Sequence, residues 1–235
     1  MDFENRLKRE LSQGVFKCLL EDCGYRVIPL GIEAVIREIA CLDKEAYKNL
    51  DFSDAVRFLP DFCIIDQNLK HKFIVEVKYR WDWDGNVLKE VFNQVRMFKD
   101  IILVVFIGNP PDRYTKQPLP STYVRCCKMY MNEQNKVCAE IKESKGGDAI
   151  KTIFVEEEDL SELNWWNLRI LQNYFPDLKN SKEEESLVKA IIDSCINNVL
   201  YFGQEVDYET LRKPKDIATK TSTCNRTSQP WIPAC

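Results

Sequence analysis

The chain has 235 residues, 45% of them hydrophobic and 30% charged, with a net charge of −4. A chain of this size makes one large domain, or one domain with an appendage; its acidity excludes a protein that coats nucleic acid indiscriminately, but not an enzyme with a local basic groove. The single histidine, His71, excludes mechanisms that need two, such as histidine-pair ribonuclease chemistry or a histidine-rich zinc site.

In chain order, residues 3–23 place Leu7, Leu11, Val15, Cys18, Leu19 and Cys23 at near-helical spacing, and Gly24 supplies a stop. YRVIPL at 25–30 reads as a strand, and 32–50 as a second helix through Ile32, Val35, Ile36, Ile39, Ala40 and Ala46. Two strands, 59–65 and 72–79, flank a turn at 66–71. Residues 86–99 are helical, with Val87, Leu88, Val91, Phe92, Val95 and Phe98 on one broad face and Asp84 or Asn86 as the cap. IILVVFI at 101–107 is a fully buried strand, ended by Gly108 and the Pro110-Pro111 pair. A hairpin around NEQN joins 121–131 to 136–142, and 151–156 forms a further strand.

The last third reads as two amphipathic helices, 157–175 and 181–202, the second opening on a capping box from Ser181 to Glu184. A basic tail, 212–235, carries Arg212, Lys213, Lys215, Lys220 and Arg226 and is expected to be loosely ordered. The order predicts an α/β protein, a mixed sheet with helices on its faces. Residues 1–160 would form the main domain, with a helical insertion at 32–50. Residues 161–211 would be a helical extension packing on the core or on a dimer partner. The longest apolar run is strand length, so no membrane span is expected. The charged start MDFENRLKRE points to the cytoplasm, or to the nucleus of a eukaryote. The ten cysteines contain no CxxC pair and are expected to be reduced and packed as small apolar groups.

One stretch carries charge where a core is expected. In FLPDFCIIDQNLKHKFIVEVKYR, residues 58–80, Asp61 heads one apolar run, and Glu76 and Lys78 close the next. Side chains two apart on a strand share a face, so Glu76 and Lys78 project together while Val77 faces the core. If the two strands pair antiparallel, Asp61 falls beside Glu76 and Lys78. Two carboxylates this close repel, and Mg²⁺ or Mn²⁺ relieves the repulsion, with the Val77 carbonyl as a further oxygen. A bound ion polarises a scissile phosphate and acidifies a bound water; Lys78 would orient that water and offset charge building on phosphorus oxygens. These are the parts of phosphodiester hydrolysis. Just beyond, Arg80 could meet a phosphate, and Trp81 and Trp83 could either stack on bases or cover the core.

Pro60-Asp61 followed, fifteen residues on, by Glu76-Val77-Lys78 resembles the PD-(D/E)XK nuclease superfamily, whose common core runs helix–strand–strand–strand–helix–strand. The resemblance covers under half the chain, within 3–107. It implies a restriction-endonuclease-like fold, with Asp61 and Glu76 as metal ligands and Lys78 as the catalytic lysine. It also implies an acidic residue on the first helix, for which Glu10 is the candidate and Gln13 the rival. Some branches place a QxxxY motif on the helix after the lysine strand. Here Gln94 stands in the right place, with Phe98 where that motif has tyrosine. The expected activity is a Mg²⁺- or Mn²⁺-dependent nuclease, acting on DNA before RNA, with a homodimer and a protein partner or activator as expected associations. A non-catalytic nucleic-acid or protein-binding module on the same core is the competing reading.

Overall fold

A computed structural model describes residues 3–32, 36, 42, 44–109, 111, 120–143 and 149–179. The first helix, α1, runs Phe3–Asp22 and buries a stripe of Ser12, Phe16, Leu20 and Cys23 at spacings of four, four and three. Cys18, expected on that stripe, is exposed instead. Gly24 ends the helix in the left-handed region, at φ 83°, and a Cβ there would sit 2.3 Å from the Gln67 amide. That amide donates to the Cys23 carbonyl at 2.6 Å, so the helix end is closed by the turn at 66–71.

Among the described residues, seven strands form a sheet whose spatial order is the sequence order, β1 to β7. They are β1 (Arg26–Pro29), β2 (Phe62–Ile65), β3 (Lys72–Arg80), β4 (Asp100–Ile107), β5 (Val124–Met131), β6 (Val137–Lys142) and β7 (Ile150–Phe154). Every neighbouring pair is antiparallel except β3–β4, which is parallel. A parallel pair needs a crossover, supplied by α4 (Val87–Glu90) and α5 (Phe92–Phe98). The single helix expected at 86–99 is thus broken at Val91; Asn86 stands at its N-cap without a side-chain cap bond, and the Asp84 carboxylate accepts from the Asn86 N–H at 2.9 Å. Short helix α2 (Lys44–Asn49) lies in the 32–50 insertion, α3 (Asp54–Arg57) follows it, and α6 (Pro120–Tyr123) precedes β5. Residues 33–35, 37–41 and 43 of the expected 32–50 helix lie outside the described residues, as do the 181–202 helix and the 212–235 tail.

The sheet is buried on both faces. One face packs Val75, Val77, Ile102 and Val104 on Phe16 and Leu20 of α1; the other packs Leu103, Val105 and Ile101 on Leu88 of α4, Val95 of α5 and Val91 between them. Central β4, buried at every residue but Asp100, has the continuous apolar composition that such a position demands.

Residues 157–175 depart from expectation. Instead of one amphipathic helix they form short 3₁₀ turns at Leu160–Glu162, Trp165–Asn167 and Leu171–Asn173, followed by Pro176–Lys179. The apolar spacing imitates a helix because the segment crosses from one sheet face to the other. Leu160, Trp165 and Leu168 join the α4–α5 face, whereas Leu171, Phe175 and Leu178 join the α1 face. At the crossing, Arg169 pairs with Cys126 through two N–H···O bonds of 2.8 Å, on the half of β5 that β6 does not cover. Side-chain caps from Asp159 and Asn164 interrupt any continuous helix. None of Cys18, Cys23, Cys63, Cys126, Cys127 and Cys138 is in a disulfide. Among the described residues no helix is long and apolar enough to cross a membrane.

Candidate functional site

The β2–β3 ladder ends on the rung Phe62–Val75, which puts Asp61 opposite Glu76 at the next position. Asp61 is held from both sides. Its carbonyl accepts from Leu30 N–H at 2.9 Å, and its Oδ2 accepts from Val77 N–H at 2.7 Å. Helix α1 approaches from above the sheet, and Gln13 donates to Asp61 Oδ1 at 2.7 Å. Arg9, one turn earlier on the same helix face, brings a guanidinium nitrogen to 3.7 Å from the same oxygen.

Glu76 faces the opposite helices. Lys78 Nζ donates to Glu76 Oε1 at 2.5 Å, and Gln94 of α5 donates to Oε2 at 2.9 Å. Asp61, Glu76 and Gln94 are buried, at 6%, 5% and 7% exposure, while the Lys78 side chain reaches partly into solvent. Burial, and then the charge of Glu76, push the Asp61 carboxyl up to about 7, against the opposing pull of Arg9, the Val77 N–H and Lys78. An acid this far from its ordinary range marks a place where negative charge has been concentrated and desolvated.

The constellation expected from sequence is therefore assembled at one end of a hairpin: Asp61, Glu76, Lys78 and Gln94 meet, and Val77 binds Asp61 through its N–H. Glu10 is exposed on α1, and Gln13, its rival, is the residue that reaches Asp61. Among the described residues no group of three or more His, Cys, Asp or Glu side chains is arranged around a metal position. Arg9 was missed by the sequence reading, although its place four residues before Gln13 puts both on one helix face.

Arg80 projects to the same face as Glu76 and Lys78 and is paired with Glu90 of α4. Trp81 and Trp83 are both half-buried. Trp83 donates its indole N–H to the Leu163 carbonyl at 2.6 Å and lies 5.3 Å from Trp165, centroid to centroid. Trp81 covers Gly108, where a Cβ would come within 2.6 Å of the indole. Trp83 also lines, with Asp82, Asn109, Ser161 and Asn164, an open cleft of about 590 Å³. No family model matches the chain, and no curated protein or solved structure was found to match it.

Proposed function

We propose that this chain is a metal-dependent nuclease of the PD-(D/E)XK type, hydrolysing phosphodiester bonds of nucleic acid, with DNA the first substrate to test. The observation that carries the reading is the buried Asp61–Glu76 carboxylate pair, just past the last rung of the β2–β3 ladder, with Lys78 bonded to Glu76. The element order supports it: α1, three antiparallel strands, a helical crossover and the parallel β4 follow the helix–strand–strand–strand–helix–strand core.

The donor set fits a hard divalent cation. Mg²⁺ is bound through one or two carboxylates and keeps several waters, so two carboxylates and the Val77 carbonyl suffice without a third acid. Such an ion supplies an acidified water and polarises the phosphate. Lys78, partly exposed beside Glu76, holds a proton-donating ammonium where the attacking water and the phosphorus oxygens would lie. Gln94 fixes the Glu76 carboxylate, and Arg80 offers a second cation along the same face. Two such sites related by a two-fold axis would suit cutting of both strands of a duplex.

The competing reading, a non-catalytic binding module on this core, draws on one observation. Each of the four oxygens of Asp61 and Glu76 already accepts from a donor within the chain. The deciding experiment incubates the protein with single-stranded, duplex and branched DNA and with RNA, in Mn²⁺, Mg²⁺ or EDTA. The nuclease requires cleavage that depends on the ion, is abolished in Asp61→Ala and falls at least about 100-fold in Lys78→Ala. A folded protein that neither cuts nor binds Mn²⁺ by calorimetry rejects it in favour of the binding module.

A further inference from the structure

Resting on that reading, we infer that the open cleft beside Trp83 is a base subsite of the nuclease. It takes one unpaired base next to the scissile phosphate and favours a base with an exocyclic amino group, such as cytosine. The cleft measures about 590 Å³, within the range of pockets that hold a small organic ligand and enough for one nucleoside. Half-buried Trp83 supplies an aromatic wall. Its ring is already fixed by contact with Trp165 and by the bond to the Leu163 carbonyl, so stacking a base on it sacrifices little side-chain freedom.

Position ties the cleft to the site. Beyond Lys78 the chain stays paired past the end of β3: Gly108 N–H donates to the Arg80 carbonyl at 2.9 Å, and Asn109 N–H to the Trp81 carbonyl at 2.7 Å. Asp82 and Asn109, which line the cleft and are joined by a bond of 2.8 Å, therefore extend the parallel β3–β4 pair. They stand at the carboxyl ends of its strands, where open α/β sheets bind their ligands. From Lys78 to Asp82 an extended chain advances about 13 Å. One nucleic-acid strand can thus lay a phosphate at Lys78 and a neighbouring base in the cleft.

Charge and hydrogen bonding say which part of a nucleotide enters. Two carboxylates, Asp82 and Glu162, line the cleft, and its described lining residues include no lysine or arginine. A phosphate is repelled there, whereas an uncharged base that offers N–H donors is not. A carboxylate accepts from the N4 amino group of cytosine. Asn164 caps the Trp165–Asn167 turn through its Oδ1, which leaves its amide N–H groups to donate to the ring nitrogen beside that amino group. Uracil reverses both features, setting a carbonyl oxygen against the carboxylates and an N–H against the amide. A base inside a duplex keeps this edge in its own pair, so the subsite selects single strands or unpaired ends.

The test uses the full chain with fluorescein-labelled oligodeoxycytidine and oligodeoxyuridine of equal length, in EDTA to prevent cutting and at mildly alkaline pH. Anisotropy should show oligodeoxycytidine binding at least about 5-fold more tightly. In the double variant Asp82→Asn, Glu162→Gln the ratio should fall below about 2-fold. Losing two negative charges raises affinity for both strands alike, so the ratio isolates the reading of the base. Bound oligodeoxycytidine should also quench tryptophan emission, and Trp83→Phe, shown by thermal melting to be folded, should lose most of that quenching. Equal affinity for the two strands, an unchanged ratio in the double variant, or quenching that survives Trp83→Phe would each overturn the subsite. If such a chain still cuts in Mn²⁺ and Asp61→Ala does not, the nuclease reading stands and only the subsite falls. A chain that shows the preference but cuts nothing keeps the subsite and loses the nuclease. Binding of neither strand, without cleavage, removes both.

Discussion

Asp61 sets the energetics of the site. Its carboxyl titrates near 7 in the folded chain against an ordinary 3.8, so the folded state holds the proton more tightly than the unfolded one. Stability linked to this group is fully present below about pH 4 and is lost as pH rises toward 7, by at most about 4 kcal/mol. Melting curves in EDTA should therefore show the unsubstituted chain losing stability across that window. Asp61→Asn should flatten the dependence and be the more stable protein at pH 8, although it forfeits the proposed metal site. Parallel pH profiles for the two would show that Asp61 pays no penalty for being ionised. Gln94 has a related part: it is buried and donates to Glu76 Oε2. Gln94→Ala removes one donor from a buried carboxylate and should cost about 1–3 kcal/mol in urea unfolding. The motif residues Asp61, Glu76 and Lys78 could be read from sequence because charges inside apolar strand patterns need an explanation. Arg9 and Gln13 could not be ranked above Glu10, because the three lie within two adjacent turns and only the orientation of the helix on the sheet decides which of them meets Asp61.

At the scale of elements, local pattern and local structure agree wherever an element rests on one surface. β3, β4 and the NEQN hairpin lie close to where alternation and turn chemistry put them, and Asn135 in that turn adopts φ 59°, a region asparagine tolerates. They disagree at 157–175, where apolar residues three to five apart serve two faces of the sheet and not one face of a helix. That segment is locked to the exit of β3 by backbone proximity. A Cβ on Gly85 would lie 2.0 Å from the Leu160 carbonyl oxygen. Gly85→Ala must push the two segments apart, and a destabilisation of at least about 2 kcal/mol is expected by chemical denaturation. The same substitution should loosen the bond from Trp83 to Leu163, giving a red shift of tryptophan fluorescence before global unfolding. An unchanged spectrum and midpoint would show that the contact relaxes freely.

Across the whole molecule, stability should be graded from the middle of the sheet outward. β4 carries apolar packing on both faces and β3 chiefly on the α1 face, whereas β1 and β7 are edge strands with several exposed side chains. Hydrogen exchange should accordingly be slowest in β4 and β3 and faster in β1 and β7. The site would then stand beside the most protected strand, with Glu76 fixed in β3 and Arg9 on the α1 surface. A pattern in which β3 exchanges as fast as β7 would contradict this placement. The sequence by itself determined the mixed α/β class, the strands that form the sheet and the convergence of Asp61, Glu76 and Lys78, because period and strand pairing are local rules that a charged residue in an apolar run makes visible. Only the tertiary structure decided that Gln13 and Arg9 meet Asp61, that Gln94 reaches Glu76 and that 157–175 crosses the sheet. Those outcomes depend on how helices and edge segments settle on a twisted two-faced core, a competition among packings that no single stretch of sequence encodes.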